Sequence, residues 1–185
     1  MALRYGLPYF LEDKSGRLSG SDFIDLHDRM KLAYSCKDRS SSLFTYEIHD
    51  TTAGTYDAYN KAVATLTFGS DNALGTITYT RDKIERQMVD YLAQVNDIAG
   101  SKLRRFFASD GKEYRWGYRV VPNEEWTCTN SSGTVVSHYN LKVDGEPPYF
   151  GSSGCMLSVD EDFGHLACEM LATVMIMRHI DKHNL

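Results

Sequence analysis

His165, Glu169 and Thr173 stand four residues apart in GHLACEMLATVMIM (164–177), the most apolar stretch of the chain. On a helix this spacing puts all three on one stripe. A His–Glu pair one turn apart can act as general acid and base toward a small hydrophobic molecule. The same stripe suits a structural role, because structural networks hold such groups as often as catalytic ones do. Burying a carboxylate unpaired is expensive, so Glu169 must meet a partner, water or a cavity.

A second group of chemistry-bearing residues is basic. Residues 101–120 hold Lys102, Arg104, Arg105, Lys112, Arg115 and Arg119 against Asp110 and Glu113, a local balance of +4 in a chain of −5. The remainder therefore carries −9. Lys102, Arg104, Arg105, Arg115 and Arg119 are candidates to bind a phosphate headgroup or another anion. A solvated, salt-bridged strand face accounts for the same residues, since exposed charge is the default.

Other constellations carry less. His179 and His183 have the spacing of a metal pair, but they lie in the last seven residues, where chains fray; no metal or other cofactor is expected. Cys36, Cys128, Cys155 and Cys168 have no zinc spacing. The start, MALRYGLPYFLED, lacks the charged and apolar regions of a secretory signal, so a reducing cytoplasmic setting is expected. Asn130-Ser-Ser then reads as a turn. No GxSxG, P-loop, GxGxxG, HExxH or deaminase signature is present. The acidic pI of about 5.6 argues against nucleic-acid affinity.

The elements that must position these residues are mostly strands, in one domain spanning 1–185. Leu3 to Leu11 is extended, with Pro8 placing it at an edge or a strand start. Asp22 has the type to cap a short helix running through His27. Runs 42–49, 62–68 and 74–80 are β-branched or aromatic between turn residues, and 51–60 reads as a loop. Strands are expected at 102–108, 113–121, 125–130, 135–143 and 155–160, with hairpin turns at Asp110-Gly111 and Ser131-Ser132-Gly133. Along EYRWGYR, Tyr114, Trp116 and Tyr118 share one face and Glu113, Arg115 and Arg119 the other. The segment 166–177 is apolar nearly all round but too short to span a bilayer. Asp160, Glu161 and Asp162 suit its N-terminus and the basic residues after it suit its C-terminus. A single buried helix in a β protein fits best inside a closed barrel. The expected class is therefore mainly β, an antiparallel β-barrel surrounding a buried C-terminal helix.

An antiparallel barrel threaded by such a helix resembles the tubby C-terminal-like fold, which groups tubby domains, phospholipid scramblases and plant LURP-one-related proteins. More narrowly, FFASDGKEYRW (106–116), EWTC (125–128), VVSHY (135–139) and the final helix resemble a family of uncharacterised basidiomycete proteins with a DG(K/R)EY(K/R)W pattern. The likeness runs from about Phe106 to the C-terminus. It implies a strand at 82–87 followed by a helical turn at 89–94, although Ile84, Met88, Tyr91, Leu92 and Val95 have the spacing of a longer helix. Tubby domains bind phosphoinositides through basic residues on barrel strands; their motif does not align here residue by residue. The expected function is a non-catalytic binding module for an anionic lipid headgroup or a protein partner, self-association included. The alternative is a small barrel enzyme using His165 and Glu169.

Overall fold

The computed structural model describes residues 6–39, 43–54, 61–96, 101–120, 125–140 and 153–185. Seven strands come first: β1 (Tyr9–Asp13), β2 (Gly20–Asp25), β3 (Lys31–Arg39), β4 (Phe44–Asp50), β5 (Ala64–Phe68), β6 (Thr76–Tyr79) and β7 (Glu85–Gln87). A single helical turn, α1 (Met88–Tyr91), leads into β8 (Ala93–Gln94). Then follow β9 (Arg104–Phe107), β10 (Glu113–Tyr118), β11 (Trp126–Asn130), β12 (Val135–Asn140) and β13 (Cys155–Val159). A 3₁₀ segment, Glu161–Leu166, opens the C-terminal helix α2 (Ala167–His183).

Among the described residues the thirteen strands form one antiparallel sheet in the order β7-β6-β5-β4-β3-β2-β1-β13-β12-β11-β10-β9-β8. The two edge strands are sequence neighbours joined only by α1. Among the described residues no ladder pairs β7 with β8, so the sheet is open at this seam. Every residue of α2 from Glu169 to Met177 is buried, more than two full turns and therefore all faces. A helix so enclosed against a single sheet requires the sheet to curve about it. Leu11, Ile48, Leu66, Tyr114, Trp116 and Trp126 are among the fully buried residues of the shared core. Among the described residues no helix is long and apolar enough to cross a membrane.

Most expected strands appear, trimmed at their ends. The Asp110-Gly111 turn closes β9 onto β10, with Gly111 at φ +77 and Lys112 N–H donating to Asp110 Oδ1. At the β11–β12 turn Asn130 Oδ1 accepts from the Ser132 and Thr134 amides. The strand at 82–87 and the helix at 89–94 shrink to β7 and α1, after which β8 resumes pairing. The expected helix through His27 is corrected: 20–25 is β2, because Phe23 and Asp25 alternate inward between β1 and β3. Period-two burial outweighs the cap signal of Asp22. Pro8 stands just before β1, but β1 is an interior strand, paired with β2 and β13. Strand β3 was not anticipated; after Tyr34, residues 35–38 are exposed on both faces around a bulge, which leaves no alternation to read. The expected elements over 3–5, 42, 55–60, 121 and 141–143 lie outside the described residues.

Candidate functional site at the sheet seam

The expected aromatic face of β10 points inward at Tyr114 and Trp116, and it meets α2 through Thr173. Trp116 Nε1–H donates to Thr173 Oγ1 at 2.8 Å, and that hydroxyl donates to the Glu169 carbonyl at 2.8 Å. Thr173 is thus a structural member of the stripe. One turn earlier, Glu169 is buried, only 8 % exposed. Its Oε2 accepts the Ser109 N–H at 2.8 Å, from the turn between β9 and β10. The Ser109 carbonyl in turn accepts from Arg81 Nη2 at 3.2 Å, beyond the end of β6. The backbone of one residue, Ser109, therefore ties the helix to both sides of the seam through its N–H and its carbonyl.

Glu169 lies at a cleft of about 1010 Å³ where the sheet fails to close. Tyr79, Arg86 and Tyr91 line it from the β6–β7 side, with Ser109, His165 and Cys168 also present. Oε1 of Glu169 has no partner among the described residues. The Tyr79 and Tyr91 hydroxyls share a hydrogen bond of 3.1 Å. Burial pushes both phenols well above their ordinary range, and the nearby Glu169 charge adds to it. Both therefore stay protonated and serve as donors rather than bases. Arg86 is held by Asp82 at 2.5 Å and lies 6.0 Å from the Tyr91 ring centroid. Burial, with Asp50 and Glu169 nearby, pushes the Cys168 thiol up to about 12, which keeps it a thiol and not a nucleophile. The cleft is acidic: Asp50, Asp82, Glu85, Asp90 and Glu169 line it against Arg81 and Arg86.

His165 and Glu169 line the same cleft, but among the described residues no hydrogen bond or ion pair joins them. His165 is exposed and belongs to the 3₁₀ segment, whereas Glu169 is on the α-helix. The one-turn spacing holds only when both residues share α-helical geometry.

The five basic candidates do not converge. Arg105 and Arg115 sit opposite each other across β9 and β10 and share Glu113, at 3.3 and 2.7 Å. The Arg115 guanidinium, supported by Arg105, holds the Glu113 carboxyl below its ordinary range. Lys102 pairs with Asp181 and lies 4.1 Å from the Tyr118 ring centroid, with Arg119 at 5.2 Å from the same centroid. Arg104 alternates to the inner face and is buried, and its Nε has no hydrogen-bond partner among the described residues. Burial lowers its guanidinium's pKa. The His179 ring stacks on Phe68 of β5 at 4.0 Å, and its Nε2 lies 2.8 Å from the Asn72 carbonyl oxygen.

Tyr79, Tyr91 and Arg81 were not anticipated as site residues. Tyr79 ends an unremarkable strand and Tyr91 belongs to an apolar helical pattern, so only the meeting of β6, α1 and the β9–β10 turn reveals them. Compared with known protein families, curated proteins and solved structures, the chain matches none.

Proposed function

We propose that this protein is a non-catalytic cytoplasmic binding module of the tubby C-terminal-like kind, a β-barrel whose ligand site is the seam. Thirteen antiparallel strands about an enclosed helix, with both edges meeting at one helical turn, support the barrel. Four free thiols support a reducing compartment. One observation carries the binding reading: Glu169 is anchored through Oε2 while Oε1 is left for a ligand in the cleft. Five carboxylates against two guanidinium groups suit a small ligand bearing an ammonium group or several hydrogen-bond donors. The Tyr91 ring adds a face for a cation. The anionic headgroup or protein partner expected from the basic segment belongs, in the same reading, to the outer face of β9 and β10.

The cleft's reach to Glu169 favours a second reading, an enzyme in which Glu169 takes a proton while Tyr79 and Tyr91 donate hydrogen bonds to the substrate. One variant separates the two. Glu169→Gln keeps an oxygen for the Ser109 N–H and so keeps the fold. Thermal-shift titration with alkylammonium, polyamine and amino-sugar compounds is expected to stabilise the wild type and not the variant. Full binding by the variant with turnover reduced about 10²-fold or more supports the enzyme instead. No stabilisation of the wild type by any such compound overturns the seam as a cation site.

A further inference from the structure

At the other end of α2 lies a second cavity, of about 500 Å³, with the opposite chemistry. Arg17, Arg178, His179, Lys182 and His183 line it, and among the described residues no aspartate or glutamate does. The chain as a whole carries −5, so this segregation is local. Lys182 and His183 also complement the C-terminal end of the helix dipole. Arg17 has no such reason to be there, because it comes from the turn after β1. Asp181, in the same last turn of α2, is drawn away by Lys102.

Of Arg17, Arg178 and Lys182, one is fixed and two are open. Arg178 donates to the Gly16 carbonyl at 2.9 Å, lies 3.6 Å from Asp13, and covers the Tyr139 ring at 4.5 Å. Arg17 and Lys182 are exposed, and neither side chain has an ion pair or hydrogen bond among the described residues. Beside them runs a ladder of rings. Tyr34 stacks on Tyr46 at 4.9 Å, and Tyr46 meets Phe68 edge-on at 6.0 Å. Phe68 stacks on His179 at 4.0 Å, and His179 tilts against His183 at 4.5 Å. Strands β3, β4 and β5 and helix α2 each contribute to this wall.

We propose that this cavity binds a small planar aromatic anion, an aryl carboxylate or aryl phosphate, with its ring on the aromatic wall and its charge toward Arg17 and Lys182. The cavity lies within the usual range of about 300–1,000 Å³ for small-molecule sites. Ring stacking gives the site its preference for a flat ligand, and the unpaired cations give it the sign of charge. The site is separate from the seam, and the two stand or fall independently.

Isothermal titration calorimetry at low ionic strength tests it, with benzoate, phenyl phosphate, cyclohexanecarboxylate, benzyl alcohol and inorganic phosphate as probes. Benzoate or phenyl phosphate is expected to bind about tenfold or more tighter than every probe lacking either the flat ring or the charge. Binding should weaken as salt is added. The double variant Arg17→Gln/Lys182→Gln, changed only at exposed side chains, should lose about tenfold in affinity while keeping its melting temperature. Glu169→Gln should bind these probes as the wild type does. Absence of binding by both aryl anions overturns the proposal. So does equal binding by benzyl alcohol, cyclohexanecarboxylate or inorganic phosphate, or full affinity in the double variant.

Discussion

Thr173 and Glu169, one turn apart on α2, illustrate how differently two polar residues in an apolar helix can be used. Thr173 is consumed by structure, accepting from Trp116 and donating back to its own helix. Thr173→Val leaves a buried indole N–H unpaired and should cost about 1–3 kcal/mol in a urea melt, with Thr173→Ser recovering most of it. Glu169 is only half satisfied, which is why a ligand can be sought there. That both residues face the same interior was legible from their spacing. That His165 joins neither by a hydrogen bond was not, because nothing in the sequence announces that the helix opens with a 3₁₀ segment. The basic residues carry the same lesson. Alternation puts Arg104 on the opposite face from Arg105, and Glu113 serves two arginines at once. If the outer face still holds an anionic membrane surface, binding to phosphoinositide vesicles should fall with salt and vanish in Arg115→Glu/Arg119→Glu, with little change in melting temperature. Equal binding by that double variant removes the lipid surface.

At the scale of elements, α2 is the part on which the others depend. Met170 and Leu171 are fully buried, and an aspartate at either position would enter the core without a partner. Met170→Asp or Leu171→Asp should leave the protein insoluble or without a cooperative melt; a near-native transition in either would contradict the enclosed helix. The seam has its own weak point in Gly75. A Cβ there would lie 2.1 Å from the Thr67 carbonyl oxygen of β5, while the Gly75 carbonyl accepts the Met88 N–H at 2.8 Å. Gly75→Ala should therefore destabilise by about 1–3 kcal/mol and disturb the start of α1, measurable in a melt and in cleft binding. The helix and the strands with strict alternation were legible because burial imposes a period on their side chains. Strand β3 was not, since beyond Tyr34 it is exposed on both faces. The cleft was not either: Tyr79, Tyr91, Ser109 and Glu169 meet only through the curvature of the sheet, which no local pattern encodes.

For the molecule as a whole, acid should be destabilising in two stages. Burial holds the His179 imidazole below its ordinary 6.5, with Lys182 and His183 acting in the same direction, and burial does the same to His138. As pH falls below 6.5 the unfolded chain takes up these protons first. It then holds more protons than the folded chain, so stability falls with pH until the folded-state imidazoles titrate as well. Melting temperature should drop between pH 7.5 and 5.5, roughly one unit either side of that midpoint, and His179→Gln should reduce the drop. An unchanged slope in that variant would mean His179 is not a contributor. The second stage begins below 3.8. Burial alone would raise the Asp25 carboxyl, but hydrogen bonds from Arg29 and the Phe10 amide hold it lower. Stability from this pair is present above 3.8 and is lost as pH falls through the folded value.

The pairing of β1 with β13 sets Tyr9 opposite Val159, joining positions about 150 residues apart in the middle of the sheet. A nascent chain that has produced β1 to β12 holds both flanks of that join and neither the strand that links them nor the helix that fills them. Folding should thus wait for β13 and α2. Refolding on the order of milliseconds to seconds is expected, with no cooperative unit forming in a chain truncated before Cys155. Until then Leu11, Tyr139 and the inner faces of the described strands have only one another to hide against, which makes the wait for β13 and α2 the interval in which this protein most needs a chaperone.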